Sequence, residues 1–544
     1  MAASRLALIS KKIIKPSSPT PLSHRIKKHS IFDQLNPCSY MSFGMFFPKQ
    51  YNPTLPVDPT HISTTLENSL SRALTSYYPL AGTIRDDGLH VECNDVGAKF
   101  LEAKIDCPMS EIFNRNSTKA EELIFPTDLP WTPSKENLVV AQLNHFNCGG
   151  ISIGLCVSHK IVDGSSLINF IHHWAAMARN PSAPIPSFQF DGGSHFPPVS
   201  SPIAEAILKS KTRGNHPCIS NKYFFSRSKI NSLKAMIAAE SGTSKSSSID
   251  PTSVEAASAF VYKCIASNST RPSIFTQSVN LRPIMKKWLP EEFQGNASFL
   301  FMAPEIADPA DIKLHRLISE LRKEKKMYWE TKNLMSTMLE KVKSLQNQLE
   351  RDHNDEVDVY KCTSLSKFNF HDIDYGWGGP TRVCLGSVPI NKKIFLMDSQ
   401  NEDGIEVLDE LEVVPVMVVK FMELSFQRHR VCSNPSSYER VMALESWAVD
   451  KKSVRESLRA FWLGLESEEE KKKKRRKGEE EEEIEDINKF RQDHRGFSSG
   501  VIPTKLLESL LRLLVVEVDS CDLWVVEGFL CFQVYRLKPC FGRV

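Results

Sequence analysis

The feature that most constrains the fold is a segment in which two strand-like stretches run into a helix. Residues 138–145 and 151–158 are β-prone, and Gly149 and Gly150 between them predict a hairpin turn. After Gly164 the spacing of apolar residues changes to that of an amphipathic helix. The turn before this helix, HKIVDG, therefore projects its side chains from the end of a sheet, which is a common position for functional residues.

Hydrophobic periodicity predicts further elements along the chain. Leu66, Leu70 and Leu74 recur at helical spacing, and Pro79 and Gly82 end this helix. The other predicted elements are helices over 226–240 and 253–266, strands over 275–281 and 393–398, and a charged helical stretch with a solvated face over 311–351.

Composition bounds the number of domains and the class of protein. The chain has 544 residues, 41% hydrophobic and 24% charged, which is typical of globular proteins and long enough for two or three domains. Its 68 basic and 65 acidic residues leave a net charge of +3, so a dedicated nucleic-acid binder is not expected. Residues 180–220 are rich in Pro, Ser, Gly and His and are predicted to form a linker.

Several absences in the sequence indicate a cytoplasmic protein. No stretch approaches the roughly 18 uncharged apolar residues of a membrane span, and the N-terminal sequence lacks the continuous apolar region of a secretory signal. The 13 cysteines include no CxxC pair and no Cys/His cluster at zinc spacing. We therefore expect reduced thiols, no metal site and no membrane partner.

The character of the sequence changes after about residue 412. Residues 471–477 are all basic, and residues 479–483 are all acidic. Such blocks repel internally and are usually disordered. The basic block alone would favour a nucleic-acid partner, but the adjacent acidic block would largely neutralise its field.

His159 and Asp163 are the first candidates for chemistry. A histidine with its ordinary pKa of about 6.5 is largely neutral at pH 7, so it can accept a proton from a hydroxyl or amine. Asp163 could orient the imidazole, or it could face away and hold the turn. An HxxxD pair on its own is also compatible with a histidine that is simply packed in the fold.

Competing sites find less support in the pattern. Cys156 would be the thiol nucleophile, but in an alternating strand it points opposite to His159. His172 and His173 lack a third ligand at a spacing suited to a metal. No GxSxG, P-loop or GxGxxG motif occurs in the context that its chemistry requires.

A second motif, DYGWG, spans residues 374–378. Gly376 and Gly378 allow backbone conformations with positive φ or the close approach of another segment. Asp374 could pair with an arginine such as Arg282. A loop that only shapes a cavity is an equally good interpretation.

Together these residues resemble the plant BAHD family of acyl-CoA-dependent acyltransferases, and the N-terminal KIIKPSSPTP resembles its vinorine synthase-like subgroup. HKIVDG is similar to the family's HxxxDG motif, and DYGWG to its DFGWG motif with Tyr375 in place of phenylalanine. The similarity runs from about residue 10 to 412, with a spacing of about 215 residues between the motifs. Lesser matches are FDQLNP at 32–37, YYPLAG at 77–82, NLRP at 280–283 and GN at 295–296.

The resemblance implies an α/β fold of two similar domains, each a mixed sheet flanked by helices as in chloramphenicol acetyltransferase. On this basis we expect an N-terminal domain over 1–185 and a crossover linker over 186–220. A C-terminal domain would follow over 221–412, and residues 413–544 would form an atypical, largely disordered tail. The family's closing helix is not recognisable in that tail.

The resemblance also implies a function: acyl transfer, with acetyl as the favoured group, from acyl-CoA to a hydroxyl of a plant specialised metabolite such as an alkaloid or terpenoid. His159 would be the general base of a monomeric enzyme without a permanent cofactor, and Asp163 would pair with Arg282. The candidate catalytic residues are His159, Asp163 and Asp374. Structural or CoA-side roles are expected for Arg282, Gly164, Gly376, Trp377 and Gly378. The alternative is a catalytically inactive BAHD-like binding protein, impaired by its altered C-terminus.

Overall fold

Two six-stranded sheets form the framework of the computed structural model. The structure describes residues 6–36, 39–49, 59–113, 121–127, 135–199, 218–240, 249–267, 269–331, 333–386, 391–399 and 403–412. Residues 200–217 of the predicted linker and the whole predicted tail, with its basic and acidic blocks, lie outside these ranges.

The first sheet contains the predicted hairpin and one strand from late in the chain. Its strands are β1 (Leu6–Ile14), β3 (Tyr40–Phe47), β6 (Ala98–Ile105), β7 (Val139–Phe146), β8 (Ile151–Ser158) and β13 (Arg382–Leu385). Their order is β1-β6-β7-β8-β3-β13, with β6 and β7 parallel and the other pairs antiparallel. Pairing of β7 with β8 confirms the hairpin. Because β13 pairs with β3, the late part of the chain returns to complete the first sheet.

The second sheet is built from the later half of the chain. Its strands are β9 (Cys218–Ser226), β10 (Ser273–Asn280), β11 (Ser298–Met302), β12 (Asp358–Ser364), β14 (Lys393–Asp398) and β15 (Gly404–Glu412), in the order β11-β10-β12-β14-β15-β9. The β10–β12 and β12–β14 pairs are parallel and the others antiparallel. A small sheet contains β2 (Ile26–Lys28), β4 (Thr83–Ile84) and β5 (His90–Glu92).

Helices flank both sheets. They are α1 (Ile31–Leu35), α2 (Pro59–Ser76), α3 (Met109–Phe113), α4 (Gly164–Arg179), α5 (Arg227–Glu240), α6 (Ser253–Ala266), α7 (Arg282–Met285), α8 (Leu314–Glu330) and α9 (Leu334–His353). The predicted architecture of two mixed sheets flanked by helices is confirmed, while the domain boundaries at 185, 220 and 412 stay predictions. No described helix is long and apolar enough to span a membrane.

The charged stretch over 311–351 is two helices rather than one. Helix α8 ends at Glu330 and α9 begins at Leu334. Each carries a buried apolar stripe, with Leu317 and Leu321 in α8 and Val342 in α9, while the charged residues are exposed or half-buried. The solvated face was therefore predicted correctly, but the break within the stretch was not.

Candidate active site

His159 lies directly after β8, where the strand gives way to the turn that leads into α4. Its backbone is held on both sides. The His159 amide donates to the carbonyl of Ser39 at 2.8 Å, and the His159 carbonyl accepts from Nδ2 of Asn296 at 3.0 Å. The residue is half-buried. The turn therefore holds the histidine in a defined position while leaving part of it accessible.

Asp163 is turned towards the second half of the chain. Its carboxylate accepts from both Nη atoms of Arg282, at 2.8 and 3.1 Å, and the ion pair implied by the resemblance is therefore present. It also caps α4 through the amide of Ser166 at 2.9 Å and accepts from the amide of Ala297 at 2.9 Å. Asp163 thus fastens the turn to the strand and helix that follow in the second half.

The charge of Asp163 is maintained although the residue is only 2% exposed. Burial acts to raise the pKa of its carboxyl group. The Arg282 guanidinium and the amides of Ser166 and Ala297 outweigh that effect and hold the pKa below its usual value. A permanently ionised, fully paired carboxylate is suited to holding structure rather than to exchanging protons.

Two further residues that sequence reasoning missed anchor the turn. The Ser166 hydroxyl accepts from Nη2 of Arg282 at 2.7 Å and from the amide of Gly295 at 2.9 Å. The buried Lys160 ammonium group donates to the carbonyls of Gln34 at 3.2 Å and Asn36 at 3.3 Å, at the end of α1. The only sequence signal for these contacts was the presence of the FDQLNP and GN motifs.

Gly164 lies where the turn packs closely against residues that follow β12. A Cβ atom at this position would lie 3.4 Å from Cδ2 of Leu365 and 3.6 Å from Cε2 of Phe368, both half-buried. These are ordinary van der Waals distances. The space beside the start of α4 is therefore bounded by apolar side chains.

The DYGWG loop uses its aspartate within itself. Oδ1 of Asp374 accepts from the amide of Gly376 at 2.7 Å and from that of Gly378 at 2.8 Å. Both glycines have positive φ, 112° and 90°, which a residue with a Cβ rarely adopts. The suggested pairing of Asp374 with Arg282 is wrong, because Arg282 is occupied by Asp163 and the Asp374 carboxylate is occupied by nearby amides.

The aromatic residues of this loop pack into the core of the first sheet. The rings of Tyr375 and Trp377 stack at 5.6 Å between centroids, and Tyr375 meets Trp174 of α4 edge-on at 5.2 Å. Both rings also contact Phe47 of β3. The guanidinium of Arg179, at the end of α4, donates to the carbonyl of Asp374. The loop is therefore a packing element that joins late residues to the first sheet.

The competing sites are not supported by the geometry. Cys156 is 2% exposed, and burial raises the pKa of its thiol to about 12, so it is a poor nucleophile at neutral pH. His173 contacts the carbonyl of Asn169 through Nδ1 at 2.7 Å and packs against Phe188. Among the described residues, no group of three or more His, Cys, Asp or Glu could hold a metal ion.

Comparison with known proteins agrees with this geometry. Residues 4–422 match the model of the Transferase family. Acylsugar acyltransferase 3 of Solanum lycopersicum is 37% identical over 416 residues, which cover 74% of this chain and 92% of the relative. Stemmadenine O-acetyltransferase of Catharanthus roseus is 31% identical over 422 residues, covering 74% and 93%. The crystal structure of vinorine synthase superposes with a TM-score of 0.64 at 28% identity, covering 76% of this chain and 98% of that one.

Proposed function

Since the chain belongs to the plant BAHD acyltransferases of the Transferase family, we propose that it transfers an acyl group from acyl-CoA to a hydroxyl group of a plant specialised metabolite. His159 would act as the general base. The observation that carries this proposal is the anchoring of His159 at the end of β8, with its backbone held on both sides and part of the residue exposed.

The proposed reaction proceeds in one displacement. Nε2 of His159 takes the proton of the acceptor hydroxyl as its oxygen attacks the thioester carbonyl carbon, since Nδ1 is buried. A C–O bond forms, and the tetrahedral intermediate collapses with cleavage of the C–S bond. The departing CoA thiolate takes the proton from the imidazolium, which restores the neutral histidine. No acyl-enzyme is required, in agreement with the buried thiol of Cys156.

The proposal also specifies the acyl donor and the class of acceptor. We favour acetyl-CoA as the donor because a relative with 31% identity bears the name stemmadenine O-acetyltransferase. We expect an alkaloid-like or terpenoid-like alcohol as the acceptor, and the occurrence of alkaloid acetyltransferases among the relatives supports the alkaloid-like class. Buried thiols such as Cys93, Cys362 and Cys384 support our proposal of a cytoplasmic enzyme. We expect it to act as a monomer without a permanent cofactor.

An acceptor screen with acetyl-CoA, read by mass spectrometry and by CoA release, tests the proposal on the full-length chain. We expect acetylated product from the wild type and a loss of about 100- to 10,000-fold in kcat for His159→Ala. The matched control is His145→Ala, because His145 lies on the neighbouring strand β7 and pairs with Glu102 at 2.9 Å. Its activity should stay near that of the wild type.

Two outcomes would contradict the proposal in different ways. Turnover of His159→Ala within tenfold of the wild type, in folded protein, would exclude the histidine as general base. A folded wild type that binds CoA esters but transfers no acyl group to any acceptor would instead favour a ligand-binding relative without catalysis.

A further inference from the structure

The FDQLNP and GN motifs meet at the backbone of His159. Asn296, the second residue of GN, follows Gly295 and precedes β11, whereas FDQLNP begins inside α1. In the structure both motifs belong to a polar cluster, defined here as the buried Lys27, Asp33, Lys160 and Asn296 with the half-buried Asn36. This cluster contacts the turn that carries the proposed base, and its residues take no part in the reaction proposed above.

Asn296 is the centre of this cluster. It is 1% exposed, and its Nδ2 donates both to Oδ1 of Asp33 at 2.9 Å and to the carbonyl of His159 at 3.0 Å. Its Oδ1 accepts from Nδ2 of Asn36 at 3.0 Å. The two acceptors of the Asn296 side-chain NH2 group therefore lie in FDQLNP and in HKIVDG. The donor on Asn36 fixes which way the Asn296 amide is turned.

The carboxylate of Asp33, which accepts from Asn296, is itself held in place. Oδ2 of Asp33 accepts from Nζ of Lys27 at 2.8 Å and from the amide of Ser30 at 2.8 Å, which closes the cap of α1. Burial acts to raise the pKa of Asp33, but Lys27 and these hydrogen bonds keep it below its usual value. Asp33 is thus a buried, ionised acceptor, and a hydrogen bond to a charged group is stronger than one between neutral groups.

We propose that Asn296 is a positioning residue for acyl transfer, which sets the orientation of the peptide after His159 and so places the imidazole for proton abstraction. This inference rests on the general-base function proposed above. A buried carbonyl without a donor is costly, so loss of the Asn296 amide would leave the His159 carbonyl to rotate towards another donor. The imidazole is attached to the same residue and would move with it. Displacement of a reacting group by about 1 Å can lower a rate by about 100-fold.

The closing experiment compares Asn296→Ala with Asn144→Ala in the full-length protein. Asn144 is a matched control because its amide is also buried and fully hydrogen-bonded. Its Nδ2 donates to the carbonyls of Ile124 at 3.0 Å and Gln142 at 3.4 Å and to Oγ of Ser152 at 3.2 Å, and its Oδ1 accepts from Nε2 of Gln142 at 2.8 Å. Both variants should melt at lower temperature than the wild type. Only Asn296→Ala should lower kcat, by about 10- to 100-fold, while KM for acetyl-CoA changes less than threefold.

A second variant keeps the inference testable if Asn296→Ala fails to fold. Asn36 is only half-buried, so Asn36→Ala should fold. The variant removes the donor that orients the Asn296 amide and leaves both donations of Asn296 in place. We expect its kcat to fall about three- to tenfold. Equal kcat losses in Asn296→Ala and Asn144→Ala, or a kcat within twofold of the wild type in Asn296→Ala, would overturn the inference.

A readout that needs no turnover distinguishes failure of the proposed function from failure of the positioning inference. The ring signal of His159, assigned by its absence from His159→Ala, is followed by NMR. In the wild type and in Asn144→Ala it should be one sharp signal at the same chemical shift. In Asn296→Ala it should move or broaden. An unchanged signal in Asn296→Ala overturns the positioning inference even if the wild type proves inactive.

Discussion

The HKIVDG turn and the DYGWG loop are held in place by different forces. The turn is fixed by polar contacts: Asp163 pairs with Arg282, and Lys160 donates to two carbonyls at the end of α1. The loop is fixed by apolar packing, since Tyr375 and Trp377 stack on each other and against the core of the first sheet. Polar contacts are directional, so they suit a turn that must hold the ring of His159 in one orientation.

This difference shows that the two aspartates have different structural roles, which the motif sequences alone do not distinguish. Both contain an aspartate beside glycines, and both aspartates accept backbone hydrogen bonds. Asp163, however, reaches residues more than a hundred positions away, whereas the Asp374 carboxylate accepts from the amides two and four residues ahead. Asp163 therefore links the two halves of the chain, and Asp374 shapes its own loop.

The largest effect is expected from breaking the polar contacts of the turn. Arg282→Met leaves the buried carboxylate of Asp163 without its cation, and removal of one partner of a buried ion pair costs about 3–5 kcal/mol. Urea denaturation should show this loss. The double variant Asp163→Asn with Arg282→Met should recover part of it, because no unpaired charge remains. A single-variant loss below about 1 kcal/mol would mean that the ion pair does not hold the turn.

A smaller effect is expected from the aspartate of the loop. Asp374→Ala removes two hydrogen bonds to a half-buried carboxylate, so we expect a loss of about 2 kcal/mol in the free energy of unfolding. Since Asp374 acts within its loop, kcat should fall less than tenfold. Asp374→Asn keeps an acceptor oxygen and is the conservative control. A kcat loss as large as that of His159→Ala would instead give Asp374 a direct part in the chemistry.

The sequence predicted what depends on local pattern. The hairpin of β7 and β8 follows from two β-prone runs around Gly149 and Gly150, and helix α6 from its apolar spacing. The break between α8 and α9 was missed because charged residues continue through it. The sequence has neither a proline nor a glycine between Glu330, where α8 ends, and Leu334, where α9 begins.

The partners of the site residues could be predicted only in part. Asp374 and Arg282 have complementary charges, but charge alone does not give direction, and the amides of Gly376 and Gly378 are nearer in the chain. The roles of Ser166 and Asn296 were missed because their contacts join segments more than a hundred residues apart. Uncharged residues with such distant partners leave no periodic signal in one sequence.

The smallest effect is expected in the apolar packing of the loop, and it has the opposite sign. Tyr375 is 1% exposed, burial holds the pKa of its phenol well above the usual value, and its hydroxyl has no hydrogen-bond partner among the described residues. Tyr375→Phe removes this unsatisfied group and keeps the ring against Trp174, so it should stabilise the protein by about 1 kcal/mol in urea denaturation.

Tyr262→Phe is the matched control, because the equally buried hydroxyl of Tyr262 bonds Oγ of Ser273 at 2.7 Å. That variant leaves Ser273 unpaired and should destabilise by about 1 kcal/mol. Destabilisation of similar size in both variants would show that the Tyr375 hydroxyl is satisfied, and the loop would then share the polar anchoring of the turn.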